Sequence, residues 1–151
     1  MGPEKDPMKK RTGPAPLRKV VAAVIEREGK VLVARRKNGV RFGGQWEFPG
    51  GKLEDGEEAE KGLERELVEE FGVRTRVEEF LCAVPYRSPS LSIELLAYRV
   101  LLVSGDLRPI DHDEIRWVEP LGLDESAFTE PDRPIVSFLK SMSAGAGEGS
   151  A

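Results

Sequence analysis

A three-layer α/β/α sandwich with a mixed β-sheet is the fold class this sequence predicts, on three observations. Short apolar, β-branched segments lie on both sides of one long helical pattern, a second helical pattern closes the chain, and no internal repeat interrupts them. At 151 residues, 39% of them apolar, the chain fits one domain built on one hydrophobic core.

Residues 19–26 and 31–36 are rich in Val and Ala and flank Arg27-Glu28-Gly29-Lys30, which predicts two strands joined by a tight turn. Residues 38–51 hold five glycines and one proline, too many for a regular element, and predict a functional loop. The stretch 57–71 carries Ala59, Leu63, Leu67 and Phe71 at four-residue spacing and is followed by Gly72, which predicts an amphipathic helix with a glycine C-cap. Residues 74–86, 91–103 and 114–118 read as strands, and 134–141 as a terminal helix begun by a proline in its first turn. Four prolines and several charges in 1–16, and the Ser, Ala and Gly of 143–151, predict flexible tails around a domain spanning 17–142.

With 27 acidic against 23 basic residues the net charge is -4, so stable binding to a nucleic-acid backbone is not expected. A small anionic substrate would have to be held locally by a cation. The single cysteine, Cys82, cannot form an intrachain disulfide and lies in an apolar stretch, which predicts a buried structural thiol and a reducing compartment. Lys9-Lys10-Arg11 is followed by Thr-Gly-Pro-Ala-Pro rather than an apolar run, and the longest apolar run, 20–25, is too short to cross a bilayer. A cytoplasmic protein without membrane contact is the expectation, and the sequence leaves monomer and homodimer equally open.

The chemistry is concentrated on the first helix. Glu66, Glu69 and Glu70 fall on one face, and Glu57 is expected to open the same helix. Like charges at that spacing oppose helix formation by a few tenths of a kcal/mol per pair, a cost that a divalent cation would offset. A solvated face laced with ion pairs through Lys61 and Arg65 would look similar. Gly50 and Gly51 favour the first alternative, because they let the backbone approach a ligand and present a carbonyl to the same ion. All-oxygen donors favour Mg²⁺, or Mn²⁺, over zinc; the one histidine, His112, reads as a loop residue rather than a ligand. Such a face suits phosphate-bearing substrates and hydrolysis of a phosphorus–oxygen bond.

The run Gly51-x5-Glu57-x7-Arg65-Glu66-Leu67-x-Glu69-Glu70-x-Gly72-Val73 resembles the Nudix box at every position, and the order of elements from about residue 17 to 142 resembles the Nudix fold. The resemblance implies that Glu66, Glu69 and Glu70 bind metal together with the Gly50 carbonyl. It also implies that Glu57 acts from behind them and that Arg65 orients the glutamates. Cations held there would activate water and neutralise charge on the leaving phosphate. Glu114, three residues before Trp117, sits where many relatives place a further carboxylate that binds metal or accepts the water's proton, with Asp111 and Asp113 as rivals.

Gln45-Trp46-Glu47-Phe48-Pro49-Gly50-Gly51-Lys52 is similar to the MutT branch, pyrophosphohydrolases that clean the nucleotide pool and release a nucleoside monophosphate and pyrophosphate. That likeness makes Arg36 and Lys52 candidate phosphate contacts, with ordinary surface charge as the alternative. Phe128-x3-Asp132-x-Pro134 resembles the segment where relatives present Asn or Asp to the base, and Asp132 also suits a helix N-cap. An ionised Asp132 accepts hydrogen bonds only, so it favours cytosine, guanine or 8-oxoguanine. Trp46, Phe42 and Tyr86 are read as packing rather than as stacking platforms. The expected activity is therefore Mg²⁺-dependent hydrolysis of a normal or oxidised (deoxy)nucleoside triphosphate. The alternatives are another nucleoside diphosphate-X substrate (ADP-ribose, a dinucleoside polyphosphate, an RNA cap) or a non-catalytic nucleotide sensor.

Overall fold

The computed structural model describes the backbone of residues 17–150 and the side chains of residues 17–145; the expected N-terminal tail lies outside the described residues. The strands are β1 (Arg18–Arg27), β2 (Lys30–Arg36), β3 (Trp46–Glu47), β4 (Gly50–Lys52), β5 (Arg74–Ser88), β6 (Leu91–Ser104) and β7 (His112–Val118). The helices are α1 (Ala59–Phe71) and α2 (Arg133–Ser150). The strands form a mixed sheet ordered β3-β2-β1-β6-β5, with β4 paired to β1 and β7 to β2. Among the described strand pairs only β1 and β6 run parallel, so the chain must cross over between them, and α1 lies in that connection.

Strand alternation divides the core. Val21, Ala23 and Ile25 of β1 and Leu32 and Ala34 of β2 pack with Leu63, Leu67 and Phe71 of α1. Ala22 and Val24, with Val31 and Val33, face the opposite way onto Ile135, Val136 and Leu139 of α2. A strand covered on both faces reads as the uninterrupted apolar run seen at 20–25. The α/β/α sandwich is therefore the fold. No described helix is long and apolar enough to cross a membrane.

The β1–β2 turn places Glu28 and Gly29 at positive φ, the geometry that matches the twist of a two-residue hairpin. The strands keep only the pairs Glu26↔Val31 and Arg27↔Lys30 before diverging. β1 then pairs with β4 and β6, while β2 pairs with β7 and β3. A cleft opens where they part.

Several elements differ from expectation. The glycine-rich loop contains two short strands, β3 and β4, because its backbone satisfies its hydrogen bonds on the edges of β2 and β1. Helix α1 begins at Ala59, so Glu57 precedes it. Gly72 caps it in the left-handed conformation, its N–H donating to the Val68 carbonyl. The α2 backbone runs on to Ser150 through Gly145, Gly147 and Gly149, where the composition predicts a flexible tail from residue 143. His112 is the buried first residue of β7 rather than a loop residue, and Cys82 is half-buried on β5, where desolvation raises its thiol pKa.

Candidate active site

Arg65 organises the acidic face of α1. Its Nε donates to Glu57 Oε2 at 2.8 Å and a terminal nitrogen donates to Glu57 Oε1 at 2.9 Å, a bidentate pair. The other terminal nitrogen lies 3.2 Å from both Glu66 Oε2 and Glu69 Oε2. The Arg65 hydrogen bonds, joined by one from the Glu54 backbone, hold the Glu57 carboxyl down at about 2. Gly62, an unusual residue inside a helix, is explained here: a Cβ would press on Leu53 and on Glu57 Oε1.

Glu66 packs against Gly51, where a Cβ would overlap its carboxyl group. Burial raises the Glu66 pKa, partly opposed by Arg65. Glu70 is the most perturbed acid on the helix. Desolvation first, then the charges of Glu47, Glu66 and Asp111, push it up to about 9 against one backbone hydrogen bond from Gly50. Its Oε1 is buried without a partner.

A cleft of about 440 Å³ brings Glu70, Gly50, Gly51 and Lys52 together with Arg36, Glu47 and Asp132. Arg36 reaches it from the end of β2, where a register shift between Arg35 and Arg36 interrupts the β7 ladder. Its guanidinium donates to Glu47 Oε1 at 3.0 Å. The other Glu47 oxygen lies 2.8 Å from His112 Nε2, whose ring stacks on Phe71 at 5.4 Å. Asp132, 6% exposed, accepts the Phe48 N–H at 2.7 Å across 84 residues instead of serving only as a helix cap. Burial and then Glu47 push its carboxyl up to about 8, opposed by the hydrogen bonds from Phe48 and Thr129. The Asp132 carboxyl is thus shifted toward its protonated form, whereas the sequence predicts an ionised acceptor.

The structure does not bring Glu114 to this cluster. Ile115 and Trp117 face α1, so alternation turns Glu114 to the opposite side of β7, where Arg116 Nε donates to it at 2.6 Å and Arg35 lies 3.5 Å away. These partners lower its pKa, Arg116 first. Asp111 is the rival whose charge reaches Glu70, because the segment before β7 docks on the end of α1 through Ile110 N–H to the Glu70 carbonyl. Glu47 is the residue that the sequence reading missed; it lay inside the quoted loop, but no spacing ties it to the helix.

Among the described residues no three acidic, histidine or cysteine side chains are gathered into one ligating set, and Glu66 and Glu69 are turned onto Arg65. The donors nevertheless suit a hard cation. They are all oxygens, one of them is buried and orphaned, and four carboxyl groups crowd a site where added positive charge would relieve repulsion.

The NUDIX domain family model matches residues 16–139. The chain belongs to the NUDIX domain family. It is a Nudix hydrolase acting on nucleotides. The CTP pyrophosphohydrolase of Escherichia coli K12 is 34% identical over 125 residues, covering 83% of this chain and 93% of that protein. The 8-oxo-dGTP diphosphatase of Haemophilus influenzae is 31% identical over 121 residues, covering 80% and 89%. Among solved Nudix-like structures, the solution structure of the E. coli ORF135 protein superposes with a TM-score of 0.73 at 32% identity, covering 88% of this chain and 97% of that one. The MutT protein of Methanosarcina mazei Go1, at 24% identity and a TM-score of 0.72, shares the fold.

Proposed function

We propose that this Nudix hydrolase is a Mg²⁺-dependent nucleoside triphosphate pyrophosphohydrolase that takes a cytosine- or guanine-type base, normal or oxidised, and releases a nucleoside monophosphate and pyrophosphate. The observation that carries this reading is that one cleft holds both the orphaned Glu70 carboxyl and the buried Asp132 carboxyl. The first suits a cation with polyphosphate, the second a base edge. The names of the CTP- and 8-oxo-dGTP-hydrolysing relatives agree with that choice.

Glu66, Glu69, Glu70 and the Gly50 carbonyl would hold Mg²⁺, which supplies water activation and neutralises charge on the phosphates. Arg65 carries out the positioning: with Glu57 as its bidentate anchor, it keeps Glu66 and Glu69 at the helix surface until the cation competes for them. Arg36, oriented by Glu47, and Lys52 place positive charge along the cleft for the phosphate chain. Asp111, whose charge reaches Glu70 while Glu114 faces away, is the acidic group we assign to accept the water's proton. Protonated, Asp132 both donates and accepts and so can pair with any base; ionised, it accepts only, which favours the amino group of cytosine or the N1 and N2 hydrogens of guanine.

The deciding experiment is a screen of normal and oxidised nucleoside triphosphates with Mg²⁺, with EDTA as control and product analysis. Pyrophosphate and a monophosphate are expected. Two phosphorylated fragments from ADP-ribose or a dinucleoside polyphosphate, with triphosphates untouched, would replace this substrate class. In the same assay Asp132→Ala should lower kcat/KM for the favoured base about 10- to 100-fold and cost about 1–3 kcal/mol of stability, because the Phe48 N–H is left buried without an acceptor. Asp132→Asn keeps that acceptor, so its melting point should stay near wild type while the order of base preference changes. Base preference should sharpen toward cytosine and guanine as pH rises through about 8, where Asp132 loses its proton and is left an acceptor only. Unchanged base preference in both variants would remove Asp132 from recognition.

A further inference from the structure

The cleft wall contains an aromatic side chain to which nucleotide hydrolysis has so far given no task. Phe42 lines the cleft, half-buried, at φ 60, in the turn closed by Gly43 N–H donating to the Val40 carbonyl at 2.9 Å. The third position of such a turn favours glycine, because a side chain there meets its own backbone. Three glycines stand close by, at 39, 43 and 44, yet the left-handed position carries a phenylalanine. A strained residue of this kind persists only where its surroundings hold it.

Those surroundings are built. Gln45 N–H donates to the Phe42 carbonyl at 3.1 Å, and Arg36 Nε donates to the Arg41 carbonyl at 2.7 Å. Arg41 reaches 49 residues along the chain to the β5–β6 connection, donating to Ser90 Oγ at 2.9 Å and to the Ser90 carbonyl at 3.2 Å. Arg41 and Ser90 both line the cleft, so this clasp joins two loops across it.

The other aromatic residues near the site are committed elsewhere. Phe48 is 3% exposed and stacks on Phe128 at 5.3 Å. Trp46 lies under Arg116 and Arg35, and the Tyr86 hydroxyl donates to Glu130. Among the described residues no ring stacks on Phe42.

We infer that Phe42 is a base-binding residue whose ring packs on the nucleobase of the substrate, and that the Arg41–Ser90 clasp holds the turn closed over it. This rests on the nucleotide-hydrolase reading. A ring face accepts any base, so Phe42 supplies affinity while Asp132 discriminates.

Phe42→Gly separates a binding role from packing, because glycine relieves the positive φ while removing the ring. CMP and GMP, titrated by NMR with Mg²⁺ present, read binding without hydrolysis. The variant should melt no lower than wild type, and the Kd of the better-bound monophosphate should rise about tenfold. Phe42→Tyr should bind within about threefold of wild type. Arg41→Gln should bind about threefold more weakly, with faster amide hydrogen exchange at residues 40–44. Wild-type affinity in Phe42→Gly, affinity lost together with thermal stability, or a wild-type protein that binds neither monophosphate would each overturn the inference. Failure of the wild type to hydrolyse any triphosphate would instead remove the hydrolase reading, leaving the titration to decide Phe42.

Discussion

Glu70→Gln is expected to lower kcat about a thousandfold while raising the melting point of the metal-free protein by about 3 °C, the size of shift that about 1 kcal/mol gives a domain of this length. The two effects have one cause. Without a cation the Glu70 carboxyl is raised to about 9 by burial and by its acidic neighbours, so at neutral pH the folded chain carries a proton there that the unfolded chain releases near 4.5. A group whose folded pKa is raised contributes stability fully present below the unfolded value and lost as pH climbs toward the folded one. The metal-free wild type should therefore become less stable between about pH 4.5 and 9, with Asp132 adding a parallel loss between 3.8 and about 8. Glutamine keeps the shape, removes the ionisation and removes the anionic oxygen that a cation needs. Melting curves with EDTA and turnover with Mg²⁺ check both halves. Turnover within tenfold of wild type would take Glu70 out of the catalytic centre, and a lower melting point would mean that its carboxyl is ionised and well bonded at rest.

The glutamates of α1 were legible because the chemistry and the fold share one period: the spacing that buries Leu63, Leu67 and Phe71 leaves Glu66, Glu69 and Glu70 together along one flank of that buried stripe. The sandwich was legible for a related reason, since β1 is apolar on both faces. Glu47 was not, because its importance comes from Arg36, His112 and Asp132 meeting it, contacts that span up to 85 positions and have no local signature. The placement of Glu114 follows from strand parity: it stands an odd offset, three positions, from the inward-facing Trp117, which sets it on the far face beside Arg116. The raised pKa of Asp132 was beyond sequence reasoning, since desolvation depends on what α2 and the glycine-rich loop jointly exclude. Phe42 looked like packing because nothing local announces a positive φ at a phenylalanine.

The adjacent glycines should separate folding from chemistry, since each meets a different kind of neighbour. A Cβ on Gly50 would overlap the carbonyl oxygen of Val21 and sit 2.8 Å from its carbonyl carbon, so β4 and β1 would have to part. β1 cannot yield, with Val21 and Ala22 packed at 0% and 1% exposure between the two helices. Gly50→Ala should therefore cost at least about 3 kcal/mol, a melting point lower by about 10 °C, with activity lost as a consequence. A Cβ on Gly51 meets first the carboxyl end of Glu66, and a side-chain end can swing aside. Gly51→Ala should therefore melt within about 3 °C of wild type yet lose about a hundredfold in kcat, because the displaced group is a proposed cation ligand. Circular dichroism melts beside turnover measure the contrast. Equal destabilisation by both alanines would mean that Glu66 is as rigidly packed as the strand, and a fully active Gly51→Ala would mean that its carboxylate is not needed where it stands.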